Sequence, residues 1–470
     1  MHVVLSWVSL RIVRRGRFMD FISPELPKEL EEYLKRYDEL FPRREARECF
    51  RHYVSGLISE TKRKNIWQIM RKVVDGSYQR GHHFLCESTW DAEQVNLRRM
   101  ELWQSDPATR MNEAGWYVQD DTGQERRKRG KEKPEGANRL RGGTDGVARQ
   151  YIGNVGKVSE GVVWVNTHYV DAGKKTLLTT DMYWPKASME RLPEDERTPK
   201  RRRDKIEIAI DQMRWVSRDD VIPGPKPRRA IVDAWFGSSP RYLNFVNDDL
   251  GWKYVAASRS NRRVFFNVPG TRGRPERSVR EVMTLFKAGD FVKVPVKLSD
   301  GSEKMKWAAE VPKSAGLKVK KLRHRPRMII VLDDPNRMDP EETDILLCND
   351  EEMSLSEVVQ AYSMRNFAEV LYREEKDDLG LDESQVQYED RLLRHWTLAM
   401  VTQSMIETFR LKGELNEHAE TEPKTFGQTL RLVQDIFRVE FWLGWLSKEP
   451  NLKRFVQWLC SSRGIRVSFG

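Results

Sequence analysis

Residues 362–376 read YSMRNFAEVLYREEK, a Y-x2-R-x3-E-x6-K spacing that composition alone seldom produces. On a helix advancing about 100° per residue, Tyr362, Arg365 and Lys376 all fall within about 40° of Glu369. Four polar groups then share one narrow stripe. Val359, Met364, Phe367, Val370 and Leu371 lie on the other side, where they can pack. A carboxylate flanked by two cations and a phenol suits a metal ion with a phosphodiester held beside it. The same stripe also reads as a solvated face of i,i+4 ion pairs, so its surroundings decide.

Upstream, the pattern changes to buried strands. Residues 115–119 (GWYVQ) form a short strand running into Asp120-Asp121-Thr122-Gly123, while 161–169 (GVVWVNTHY) and 229–232 (RAIV) are further strands, the last ending at Asp233. Residues 205–216 (KIEIAIDQMRWV) read as a helix between them, and the alternation argues for an α/β core. Asp120 and Asp233 each end a strand, where such sheets usually place their sites. One aspartate at a strand end is ordinarily a turn or helix cap. Three carboxylates converging with the cationic stripe would hold divalent cations such as Mg2+ or Mn2+ through oxygen, and two such ions can drive in-line displacement at phosphorus.

Between Asp233 and Glu369 the chain turns β-rich. Pieces at 254–258, 263–267, 291–298, 304–311 and 328–332 are separated by Gly, Pro and Asp turns, as an all-β insertion would be. Helical periodicity covers 24–37, 46–57 and 63–74, with Ser59–Lys62 as a cap, and later 391–409, 426–447 and 452–460. Cations on the first group (Arg51, Lys62, Arg63, Lys64, Arg71, Lys72) fit a DNA-contacting module or a plain helical bundle equally well.

At 470 residues, with 39% hydrophobic residues and 15 Trp, the chain has core enough for about three domains. A net charge of +11 and a pI near 9.3 favour an anionic partner, nucleic acid first. Cys49, Cys86, Cys348 and Cys460 form no C-x2-C pair and read as reduced intracellular thiols. No apolar run reaches the length of a membrane span. The opening MHVVLSWVSLRIVRRGRF has apolar residues before its arginines, the reverse of a signal peptide, and Met19 is an alternative start. Two runs, 124–138 (QERRKRGKEKPEGAN) and 198–205 (TPKRRRDK), are cationic loops without apolar periodicity.

The 362–376 motif resembles the tyrosine-arginine-glutamate-lysine pattern of bacterial insertion-sequence transposases of the DDE class, in the 701-like branch of the insertion sequence 4 superfamily. Further blocks are similar in the family's order: Asp120–Gly123; Gly146–Tyr151 with Gly153, Gly156 and Lys157; Met182-Tyr183-Trp184-Pro185; Val232–Gly237; Leu379–Asp382 after Lys376; and Arg394–Ala399. The likeness covers about residues 45–410. It implies an α/β ribonuclease H-like catalytic core interrupted by a β-rich insertion, with helical N-terminal and C-terminal regions. The expected division is a helical DNA-binding region over 1–100, the first part of the core over 110–253, the insertion over 254–346, the rest of the core with the glutamate helix over 347–410, and C-terminal helices over 411–470.

By the same resemblance Asp120, Asp233 and Glu369 form the catalytic, metal-binding triad for two Mg2+ (or Mn2+) ions. Arg365 and Lys376 hold DNA phosphate, and Tyr362 packs at the terminal nucleotides. Arg149, in a similar block, also meets DNA, and Trp307, by likeness of layout, stacks on a flipped base during hairpin formation. The loop cations Arg126, Arg127, Lys128 and Arg129 are expected to contact DNA backbone from their charge and their place directly after Asp120. The implied reaction is nicking at element ends and attack of the freed 3′-hydroxyl on target DNA. A homodimer would act on double-stranded inverted repeats, in the cytoplasm and associated with the nucleoid. A nuclease without strand transfer and a domesticated, non-catalytic DNA-binding protein are the rivals. The chain departs from the family in two places: residues 124–138 are extra, and Trp235-Phe236 stand where a tyrosine is usual. Asp121 remains a rival to Asp120.

The loop supplies a first test. Residues 124–141 carry eight cations against three acids. Neutralising Arg126, Arg127, Lys128 and Arg129 together should flatten the fall of log affinity with log salt by up to about 0.9 per lost phosphate contact. An unchanged slope would make the run a solvated loop.

Overall fold

The computed structural model describes residues 26–72, 76–126, 143–267, 273–298, 301–339 and 343–446, with side chains as far as 439 apart from that of residue 154. It divides into two compact units. One comprises Met1–Trp90, Asp378–Gln385 and Met405–Gly470, the other Asp91–Asp377 and Val386–Ser404. Among the described residues no helix is long and apolar enough to cross a membrane.

The first unit is helical: α1 (Lys28–Lys35), α2 (Arg44–Ile58), α3 (Ile66–Lys72) and α4 (Tyr78–Cys86). Their apolar faces meet in an aromatic core, where Phe41 stacks on Phe50 at 4.7 Å and Phe84 on Trp90 at 5.3 Å. Two of the cations left open between DNA and bundle face inward. Arg51 pairs with Glu31 at 2.9 Å and with Asp38 at 2.8 Å. The Lys64 ammonium donates to the carbonyls of Leu57 and Asp378, and burial lowers its pKa to about 8. Arg71 instead lies 4.1 Å over the ring of Trp67, which is exposed.

The second unit opens with α5 (Ala92–Ser105) and is built on a large mixed sheet. Its strands are β1 (Trp116–Glu125), β2 (Ala148–Ile152), β3 (Lys157–Val170), β4 (Lys175–Tyr183), β5 (Arg229–Val232) and β6 (Lys253–Ala257), followed by β7 (Arg263–Phe265), β8 (Glu276–Ser278), β9 (Val292–Lys297), β10 (Glu303–Glu310), β11 (Lys318–Val319), β12 (Arg327–Leu332) and β13 (Asp344–Cys348). Among the described residues ten strands join in the order β2-β3-β1-β5-β6-β13-β12-β10-β9, with β4 also paired to β3, and β11-β7-β8 form a separate small sheet. β1 is antiparallel to β3 and parallel to β5, and β5 is parallel to β6.

Parallel neighbours need crossovers. After the short turn α6 (Lys186–Met189), α7 (Lys205–Ser217) leads to β5, and α8 (Ala234–Gly237) and α9 (Pro240–Asn244) lead on to β6. Following the short α10 (Val279–Val282), α11 (Leu355–Ser363) and α12 (Asn366–Arg373) supply Val358, Val359, Ala361 and Ala368 to a core shared with β5, β6, β9, β10, β12 and β13. α13 (Glu389–Lys412) lies in this unit up to Ser404, and α14 (Phe426–Leu446) belongs to the first. The expected helix at 452–460 is outside the described residues.

Three expectations change. The strand expected to stop at Gln119 runs to Glu125, because β3 pairs with it from Trp116↔Val170 to Glu125↔Gly161. Thr122 and Gln124 are polar but buried, which hides the strand from a hydrophobicity reading. Only part of the β-rich stretch stands apart: β6 and then β13, β12, β10 and β9 extend the core sheet, while β7, β8 and β11 form the separate small one. The single helix expected over the tyrosine-to-lysine motif is broken. Arg365 N–H bonds Tyr362 O at 3.1 Å and Ala368 N–H bonds Arg365 O at 2.9 Å, tightened i→i−3 links between α11 and α12. A wider π turn over Glu374–Asp378 follows.

Gly237 ends α8 where a Cβ would lie 2.1 Å from the carbonyl oxygen of Ala257 on β6. Only a hydrogen fits, so backbone meets backbone. Gly237→Ala should cost about 1–3 kcal/mol, since the two segments must part, and a thermal melt would register it. A melt matching wild type would show that α8 sits loosely on β6.

Candidate active site

The register of two parallel strands creates the site. Gln119 of β1 lies beside Val232 of β5, the last pair of their ladder, so Asp120 and Asp233 follow as neighbours where β5 ends. Asp233 caps α8, its Oδ1 accepting from Trp235 N at 3.0 Å and Phe236 N at 2.9 Å. Asp120 Oδ1 accepts from Asp121 N at 2.8 Å. Burial raises the pKa of both carboxyls, Asp120 to about 7 with Asp233 adding to the rise and Arg365 opposing it. Side chains alternate along a strand, so Asp121 faces the other way, its Oδ2 held by Lys205 Nζ at 2.8 Å.

Glu369 comes to this pair on α12, which is fastened from both ends. Tyr372, one turn on, is buried, and its hydroxyl accepts from Asn166 Nδ2 at 2.7 Å, Asn166 being the β3 partner of Asp120. Lys376 Nζ donates to Thr122 Oγ1 at 2.6 Å, two residues along β1 from Asp120. Arg365 bridges the acids, with Nη1 2.8 Å from Glu369 Oε1 and Nη2 3.7 Å from Asp120 Oδ2. Tyr362 is partly buried against the core, and with Arg365, Asn366, Lys306 and Asp344 it lines a cavity of about 210 Å³.

The structure thus gathers Asp120, Asp233, Arg365, Glu369, Tyr362 and Lys376 but splays the expected stripe. Lys376 turns to β1. Trp307 is not in the group: Lys306 lines the cavity and Ala308 the core under α11, so Trp307 between them lies on the opposite face of β10. Arg149 is exposed on β2 with Glu160 as its strand partner, and Arg126 follows β1, partly buried. Arg127, Lys128 and Arg129 lie outside the described residues. The second cationic run is largely spent on ion pairs: Arg202 with Glu194 at 2.6 Å, Arg203 with Asp181 at 3.1 Å and Arg201 with Glu389 at 2.9 Å. Asn166, Tyr372 and Thr122 were not anticipated. The polar Asn166-Thr167-His168 inside an otherwise apolar strand was the available signal.

The donor set is three carboxylates with no thiolate or imidazole among them, which fits a hard divalent cation. Two buried acids with raised pKa values call for such a charge. The three are not drawn tightly together. Among the described residues, the one group of three or more such side chains with ligand atoms all within 4.8 Å of one another is Glu29, Glu417 and His418, on the helical unit, the last two of them exposed.

An α/β sheet with one aspartate on β1, a second just past the end of its parallel neighbour β5, and a glutamate helix beside them is a carboxylate-lined site of the kind that suits a divalent cation. Residues 36–308, more than half of the chain, match the family of DDE superfamily endonucleases, and the chain belongs to that family. It is also 28% identical over 357 residues to the "Probable transposase for insertion sequence element IS701" of Microchaete diplosiphon, covering 75% of this chain and 80% of that protein. Both findings support the insertion-sequence DDE transposase, an enzyme, that the motifs led us to expect.

Glu375, in the π turn after α12, is fully buried, and neither carboxylate oxygen meets a hydrogen-bond partner in the protein. Burial lifts its pKa to about 8, against a partial opposing pull from Arg99. The folded protein therefore keeps this proton up to about pH 8, whereas the unfolded chain releases it near pH ~4.3. The folded state binds more protons across that window, and stability falls as pH rises through it. Glu375→Gln should melt several degrees above wild type at pH 8, at roughly 2–4 °C per kcal/mol, and match it at pH 5. Parallel melting curves across this range would assign the slope to other groups.

Proposed function

We propose that this protein is a transposase that cuts DNA at the ends of a mobile element and joins the freed 3′-hydroxyl to target DNA. The strand order β4-β3-β1-β5-β6, with β1, β5 and β6 parallel, supports a ribonuclease H-like core, and β9, β10, β12 and β13 then correspond to the insertion. The observation that carries the reading is the juxtaposition of Asp120 and Asp233 at the end of one parallel ladder, with Glu369 linked to Asp120 through Arg365.

In this reading Asp120, Asp233 and Glu369 hold two Mg2+ (or Mn2+) ions, whose chemistry when bound is to activate a water or 3′-hydroxyl and stabilise the leaving oxygen. Asp233 is held rigidly by its helix cap, which fixes one carboxylate before DNA arrives. Tyr372 and Lys376 keep the glutamate helix against β1. Tyr362 meets the terminal nucleotides, and Arg149 with Arg126–Arg129 grips duplex backbone. Trp307, on the face of β10 turned from the cavity, is the candidate to stack on a flipped base during hairpin formation. Two copies of the chain would act together on the two ends of double-stranded DNA. A nuclease without strand transfer shares the same core. Intact, buried acids argue against a non-catalytic descendant, because two such carboxyls are costly to keep without a cation.

Asp233→Ala tests the triad. Mg2+-dependent cleavage of element ends should fall by about three orders of magnitude or more, while end binding stays within about twofold. Near wild-type cleavage by this variant would remove Asp233 from the site.

A further inference from the structure

Arg365 occupies a position that an ordinary i,i+4 pair does not explain. Its guanidinium reaches Glu369 on its own helix and Asp120 on β1 at once, at 2.8 and 3.7 Å, and its side chain is only 24% exposed. Its Nε is buried without a hydrogen-bond partner. The group is held by the field of the acids more than by a satisfied set of donors. Asp120, Glu369 and Asp233 all favour its charged form.

We propose that Arg365 is a built-in counter-cation of these acids, and that its guanidinium competes with a divalent cation for Asp120 and Glu369. This rests on the triad reading above. Both cations need the same carboxylate oxygens, and like charges at such a distance repel, so occupancy by one weakens the other. The tightened i→i−3 turn at Arg365 places it at a seam between two helices, where its side chain can turn without unravelling either. The neighbouring cavity, lined by Tyr362, Asn366, Lys306 and Asp344, gives it room. Released from the acids, the planar fork is free for an oxyanion with matching geometry, the phosphodiester of DNA. The order follows: metal loads first, and Arg365 becomes available to phosphate as a consequence.

Mn2+ binding to the full-length protein without DNA, followed by electron paramagnetic resonance, tests this apart from activity. Arg365→Gln and Arg365→Ala should bind Mn2+ about tenfold tighter than wild type, the modest end of what removing a unit charge at ~4 Å gives. Arg365→Lys, whose shorter ammonium reaches one acid but not both, should fall between. If either neutral variant fails to fold, the other and the lysine variant still decide. Equal or weaker Mn2+ binding by the Arg365 variants, with Asp233→Ala abolishing binding, would overturn the competition and leave the triad standing. Undiminished Mn2+ binding by Asp233→Ala would overturn the triad reading and this inference with it.

Discussion

Two carboxylates set side by side where a parallel ladder ends, Asp120 buried and Asp233 partly so, are the constraint around which the second unit is organised. The effective penalty for taking one such charge from water is several kcal/mol, so neighbouring groups must either supply positive charge or let the acids stay protonated. Arg365 supplies part of it at 3.7 Å from Asp120. The Asp233 side chain spends one oxygen on the amides that begin α8, a site of fixed partial positive charge. Close backbone approach at Gly237 keeps that helix on β6. Tyr372 and Lys376 tie the glutamate helix to β3 and β1. Remove the register between Gln119 and Val232 and none of these supports has a purpose.

Much of this arrangement was legible in the residues. The alternation of strands and helices gave the α/β class, and the acids at 120, 233 and 369 were located by context. The opposite faces of Asp120 and Asp121 follow from the strand period of two once β1 is known to continue through both. That continuation was the missing piece. Thr122 and Gln124 are polar, and only pairing along the whole of β3 shows why they are inside. β2, β4, β8, β11 and β13 went unread: β2 and β4 mix polar with apolar residues because one face of each is only partly covered, and β8 and β11 are too short to show a period. Likewise, no local pattern tells whether a β-rich stretch folds alone or adds its strands to an existing edge.

Net charge points to a class of partner but not to a surface. The excess of +11 points to an anionic partner, yet individual cations are heavily committed inside each unit. Arg51 and Lys64 hold helices together in one. In the other, Arg99 is wholly buried and donates to Thr176, Ser404 and the carbonyl of Leu177. The run at 198–205 is a mesh of ion pairs. A cation count measures long-range attraction, whereas contact surfaces depend on which side chains have no internal acid to meet.

The broken helix bearing the tyrosine-to-lysine motif has a geometric consequence. A 3₁₀ turn advances about 120° per residue and an α turn about 100°, while a π turn advances less. Inserting one kind before Glu369 and the other after it rotates the flanking residues out of a common plane. Tyr362 is carried toward the core, Arg365 toward the acids, Lys376 toward β1, and Glu369 is left outermost with 55% of its side chain exposed. Fifteen residues thus work as a rotary coupling: one short segment addresses a hydrophobic layer, a charged pair and a strand edge, each in a different direction. A uniform helix of the same composition would address only one.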